Sequence, residues 1–181
     1  MKKDEHMDVG VIVEQRPSSS PWIDSTLAPV EVVPGAGPVE GWREVSRRTS
    51  DQGDAVRYLA ATLPIELFRK ETQGYLVNLA DSVPRVYVVM REDDTGISGF
   101  AFTPFLATVC PYEAQDYMDS GEDIVEGVPM PRVVSAWLQA WCDEHHSDEK
   151  FVKRKRKGGA ALGKEPFTRI APVDRKRRYD A

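Results

Sequence analysis

Residues 111–157 read PYEAQDYMDSGEDIVEGVPMPRVVSAWLQAWCDEHHSDEKFVKRKRK, and this stretch decides the fold. Pro111 suits a first helical position, where its fixed φ fits and its missing N–H has no partner to lose. Glu113 and Asp116 then lie toward the positive end of the helix dipole, and Gly121 supplies the left-handed stop. The spacing predicts a helix from Pro111 to about Ser120. Glu122 to Met130 is short and rich in Gly and Pro, and reads as an extended connector. Pro131 opens a second helix, on which Val133, Val134, Trp137, Leu138 and Trp141 make one wide apolar stripe. That stripe reads as a helix face packed on a sheet, because buried aromatics are ordinary core material. After it, Asp143, Glu144, Asp148 and Glu149 give way to Lys150, Lys153, Arg154, Lys155, Arg156 and Lys157. Such a run stays in water, so the fold is expected to end near Phe151.

Upstream the chain reads as strands. Val9 to Glu14 is a continuous apolar run rich in branched residues, and Leu27 to Val33 follows as an edge strand because it contains Pro29. Between them Ser18, Ser19 and Ser20 lie between prolines in a loop that Trp22 is expected to anchor on the body. Pro34-Gly-Ala-Gly-Pro38 is a turn. Trp42 to Arg48, Ala55 to Leu63 and Ile65 to Arg69 read as further extended segments, with a polar hairpin turn at Thr49 to Asp54. In Glu71 to Leu79, Tyr75, Val77 and Leu79 alternate as in a strand, while Tyr75, Leu76 and Leu79 also fit a helix; a short helix is the reading adopted. Arg85 to Arg91 is the clearest strand, Asp93 to Gly96 an exposed turn, and Phe100 to Val109 a last strand. Strands first and helices last make an α+β fold: a twisted, mainly antiparallel sheet with two C-terminal helices packed on it. Residues 8–151 form the expected domain, and residues 152–181 a basic, largely disordered tail.

The net charge of −5 hides an asymmetry. Residues 1–149 carry 12 Lys and Arg against 26 Asp and Glu, a balance of −14; residues 150–181 carry 12 against 3, a balance of +9. The body would repel nucleic acid and the tail would attract it. The tail lacks the interleaved aromatics of a base-stacking surface, so a solubilising or partner-docking tail, folded back on the acidic body or on an acidic partner, is read at least as readily as nucleic-acid binding. No apolar run reaches the length of a membrane span, and the run from Val9 to Val13 is too short for a signal-peptide core. These features describe a soluble cytoplasmic protein. Cys110 and Cys142 suggest no disulfide framework.

No set of residues names a reaction. Gly35-Ala-Gly37 follows a strand, but Pro38 comes next, no third glycine follows and no helix begins there, so a phosphate cradle is not formed. Cys142, His145 and His146 sit close at a helix end and are the best metal candidates, yet a structural zinc site wants four ligands. A polar helix end is the plainer reading. Cys110 stands at a helix N-terminus, which lowers a thiol pKa, but a buried inert thiol is the usual outcome. The carboxylates of Glu113, Asp116, Asp119, Glu122, Asp123 and Glu126 form an acidic band.

Several pieces together resemble a family. They are Ser20-Pro-Trp22, Glu71-Thr-Gln-Gly-Tyr75 with Asn78-Leu79, Arg85-Val-Tyr-Val-Val-Met-Arg91, Pro111-Tyr-Glu-Ala-Gln-Asp-Tyr117 through Asp119-Ser-Gly-Glu122, Val128-Pro-Met-Pro131 and Phe151-Val-Lys-Arg-Lys-Arg156. The chain resembles a proteobacterial family of uncharacterised proteins whose genes tend to lie beside those of molybdenum-dependent formate dehydrogenase. Some members carry the label molybdopterin-guanine dinucleotide biosynthesis protein. The guanylyltransferases of that pathway open with a strand and a Gly-rich phosphate loop, whereas here VGVIVE runs into Gln15-Arg16-Pro17-Ser18, with no such loop. Since the residues name no reaction, a non-catalytic accessory protein without a cofactor is expected, and the resemblance implies that it works alongside formate dehydrogenase, in maturation or cofactor handling, by touching its subunits or maturation factors. Trp22, Tyr112, Glu113, Asp116, Tyr117 and Lys153 to Arg156 are the expected contact residues. A pterin- or nucleotide-binding enzyme or carrier is the second reading, and a nucleic-acid-binding tail the third.

Overall fold

A computed structural model describes residues 5–147. The expected end of the domain at Phe151, the basic tail and Lys153, Arg154, Lys155 and Arg156 lie outside the described residues. The chain is α+β, and every strand pairing among the described residues is antiparallel. Its strands divide between two sheets where one was expected. The first sheet holds β1 (Glu5–Pro17), β2 (Ser25–Pro34), β3 (Arg43–Ser50) and β4 (Gly53–Leu67) in the order β2-β1-β4-β3. The second holds β5 (Arg85–Glu92), β6 (Phe102–Thr108) and β7 (Ile124–Pro129) in the order β6-β5-β7. The division comes from a 3-10 turn, Arg69–Glu71, and α1 (Thr72–Leu79), which separate β4 from β5. α2 (Pro111–Ser120) and α3 (Arg132–His145) follow.

Composition explains most of these elements. β1 is an interior strand, and its run from Val9 to Glu14 is buried on both faces. Val9, Val11 and Val13 enter the main core, while Gly10, Ile12 and Glu14 alternate onto the opposite face. β2 is an edge strand, and Pro29 sits beside a register shift against Val13, as a proline without an N–H requires. The two extended segments expected on either side of Pro64 form one long strand. Beyond Leu59, β4 has no β3 partner, so one edge is open where the proline lies. The expected connector at Glu122 to Met130 yields β7, because β5 offers a free edge to which residues 124–129 pair from Met90 back to Arg85.

The core joins both sheets to the helices. β4 runs beside β6 and β2 beside β7. Between them Val11, Ile65, Leu67, Val86, Val88 and Val128 meet Tyr75 of α1 and Val134, Leu138, Trp141 and Cys142 of α3. The buried stripe of α3 is therefore rotated by one position from the expected one: Val133 faces water at 62% exposure, and Cys142 takes its place. Trp137 lies at the rim, where its indole N–H donates to Glu5 at 2.8 Å. Trp22 does not anchor its loop; it is 90% exposed. Among the described residues no helix is long and apolar enough to cross a membrane.

Candidate functional site

α2 is the least buried of the helices, and the side chains expected to make contacts gather on it. Pro111 stands at its first turn and Gly121 ends it at φ 69°. Ala114 is its one buried residue. Tyr112 is 55% exposed and Met118 43% exposed, with Phe105 of β6 nearby at 44%. Tyr117 meets the Phe105 ring edge-on at 6.4 Å, and the Arg91 guanidinium lies 3.7 Å over that same ring. Arg91 is held by both carboxylate oxygens of Asp123, at 2.9 and 3.0 Å. Asp123 lies below its ordinary pKa because that guanidinium hydrogen-bonds it. Glu113 is half-buried, while Asp116, Asp119 and Glu122 stay exposed around the aromatic groups. The exposed groups are thus spread around the helix: Tyr112 stands toward α1 with Asp116 beside it, Tyr117 stands toward Phe105, and Met118 is exposed as well.

Where the N-terminus of α2 meets α1, a cleft of about 330 Å³ opens between Glu71, Gly74, Cys110, Tyr112, Glu113 and Asp116. Gly74 permits the approach. A Cβ there would stand 2.9 Å from the Cys110 sulfur and 3.0 Å from the Tyr112 ring. The Cys110 thiol lines this cleft beside Glu71, whose carboxylate accepts the Tyr75 hydroxyl at 3.0 Å. Burial holds the Glu71 carboxyl above its ordinary value, and the nearby Glu113 adds to the rise. Burial likewise raises the Cys110 thiol, with further upward push from Glu71 and Glu113 that the α2 backbone N–H groups do not offset. The helix N-terminus therefore does not produce the activated thiol that its position suggests. A thiol meeting a carboxylate without an adjacent histidine holds its proton and acts as a packing group.

Residues 8–156 match the model of a family described as a protein of unknown function (DUF3305). The chain belongs to the DUF3305 family. No curated protein and no solved structure matches it. As a DUF3305 member it contains Glu71-Thr-Gln-Gly-Tyr75 with Asn78, in which the buried polar groups of Tyr75 and Asn78 have structural tasks. Tyr75 is fully buried, and its hydroxyl accepts the Phe68 N–H at 3.0 Å while serving Glu71. Asn78 is 4% exposed. It donates to the carbonyls of Arg85 and Val109, both at 2.8 Å, and accepts the Arg85 N–H at 2.9 Å. The sequence carried this signal as an asparagine on the inner side of a short helix, but not its partners.

Other expected sites stay apart. Cys142 is buried, and burial pushes its thiol up to about 11. The His145 ring packs edge-on against Trp141 at 3.9 Å, and His146 Nδ1 lies 3.0 Å from the Thr72 hydroxyl. Among the described residues no three His, Cys, Asp or Glu side chains converge as a metal site would need. Trp22 belongs to the β1–β2 loop and not to α2. Gly35 adopts φ 70° after β2 and donates its N–H to Asp8 at 2.8 Å, as a turn residue does.

Proposed function

We propose that this DUF3305 protein is a non-catalytic cytoplasmic accessory protein that acts by protein contact through the outer face of α2. Its partner presents Lys or Arg beside an apolar side chain, which would settle on Tyr112 while the cations meet Asp116 and Asp119, one and two turns along the same helix face. The observation that carries this reading is the imbalance of α2. The helix buries Ala114 alone, yet places a tyrosine and a methionine in water. Large exposed aromatics edged by charge are the composition of interface anchors. The family resemblance supports a subunit or maturation factor of molybdenum-dependent formate dehydrogenase as the partner. Trp22 and Lys153 to Arg156 are proposed as further contacts.

Capture from an extract of the native host tests this. The full chain is expected to retain formate dehydrogenase subunits or their maturation factors. A Tyr112→Ala, Met118→Ser variant is expected to lose them while keeping the same thermal midpoint. Loss of the gene should lower formate oxidation. Absence of these proteins from the captured set, together with unchanged formate oxidation on deletion, would overturn the proposal.

A further inference from the structure

The outward face of the first sheet carries a cavity of about 570 Å³ that shares no residue with the α2 surface. Its position follows from β1. The residues that alternate away from the main core are Gly10, Ile12 and Glu14, and Ile12 is only 6% exposed although no helix among the described residues covers this side. The segment after β2 supplies a roof. It is fixed by the Gly35 N–H on Asp8 at 2.8 Å and by the Thr62 hydroxyl on the Gly37 carbonyl at 2.7 Å. Gly10 lets the roof come down, since a Cβ there would meet both Ala36 and Leu59 at 2.8 Å.

The chemistry of the walls is uneven. Ile12, Val33, Ala36, Val39, Val45 and Leu59 make them aliphatic. Val33 and Val45 line the space yet remain 40% and 47% exposed, so apolar surface stands in water there. At the mouth are Arg43, Arg57 and Glu31. The Arg57 side chain is already engaged: its Nε donates to Glu14 at 2.6 Å, and Glu14, 2% exposed, also holds Arg16. Arg43 has no side-chain partner among the described residues.

We infer that this cavity binds an aliphatic carboxylate, its chain against Ile12, Val33, Val45 and Leu59 and its head on the Arg43 guanidinium. A cavity of this size falls within the range of roughly 300–1,000 Å³ that holds small ligands. A guanidinium receives a carboxylate through two parallel N–H bonds, and Arg43 is free to do so. Among the described residues no aromatic ring lines the space, so a pterin or a nucleobase would have nothing there to stack on. Glu31 at the rim disfavours a doubly charged phosphate more than a single carboxylate.

Titration of the full chain with decanoate, below its micellar concentration and followed through valine and leucine methyl resonances, tests the site. Saturable binding is expected, with shifts at Val33, Val39, Val45 and Leu59. Arg43→Gln, a change at an exposed side chain, is expected to weaken decanoate by about tenfold or more and to leave 1-decanol unchanged. Val45→Trp should fill the space and remove binding of both. Lack of saturable binding, shifts confined to other residues, unaltered affinity in Arg43→Gln, or tighter binding of GTP or a pterin than of decanoate would each overturn the inference. The α2 variant Tyr112→Ala, Met118→Ser should bind decanoate normally, which separates this test from that of the docking surface.

Discussion

The side-chain amide of Asn78 donates to the Val109 carbonyl at 2.8 Å, across 31 residues of sequence, and so ties α1 to the end of β6. The same amide bonds both backbone groups of Arg85 at the start of β5. Three backbone groups thus depend on one buried side chain. Replacement by Leu fills a similar volume but leaves all three without partners. Each buried unsatisfied group costs about 1–3 kcal/mol, and they do not add fully. Asn78→Leu is expected to lower stability by about 2–4 kcal/mol in urea denaturation, and a loss under 1 kcal/mol would show that water replaces the amide.

The carboxyl of Glu71 carries the opposite kind of constraint. Burial raises its folded-state pKa above the ordinary 4.5. Its contribution to stability is therefore fully present below that ordinary value and is lost as pH rises through the raised folded value. Glu71→Gln keeps an acceptor for the Tyr75 hydroxyl and removes the ionisation. The variant should be more stable than the parent at neutral pH, with the difference shrinking toward zero as pH falls below 4.5. Thermal midpoints across that interval check it. A constant difference at every pH would mean that ionisation at Glu71 is not involved.

Glu14 behaves in reverse. Burial pushes its carboxyl up, but hydrogen bonds and charge from Arg57 and Arg16 outweigh it, and the net position is below the ordinary 4.5. Its stabilisation is present above 4.5 and is lost as pH falls through the lower folded value. Removing one cation leaves a buried carboxylate short of a partner. Arg57→Met is expected to cost about 2–4 kcal/mol, less than a fully orphaned charge because Arg16 remains. Adding Glu14→Leu should restore part of the loss. A double variant no more stable than Arg57→Met would show that the carboxylate is hydrated in the single one.

The sequence expressed local structure well where the physics is local. Branched residues mark β1 and β5, and Pro111 and Gly121 mark the two ends of α2. The acidic and aromatic groups of α2 were legible for the same reason, since helical spacing places them without knowledge of the fold. Division into two sheets was not legible, because antiparallel pairing depends on which edges are free at a distance. β7 shows this: Ile124 to Pro129 contains Gly127 and Pro129 and becomes a strand only because β5 has an open edge beside it. The meeting of Cys110 with Glu71, and the roof over Ile12, likewise come from contacts between distant segments.

Trp22 gives a direct optical check. The protein has 4 tryptophans, and Trp22 alone among them is 90% exposed. Trp141 is 6% exposed, and Trp42 stacks on Phe100 at 3.9 Å with the rings 17° apart. An exposed indole emits at longer wavelength and meets soluble quenchers freely. Trp22→Phe should therefore shift emission to shorter wavelength and remove most of the iodide-quenchable signal. Because no packing is lost, stability should stay within about 0.5 kcal/mol of the parent. A marked fall in thermal midpoint would instead mean that the indole is packed against the body in solution.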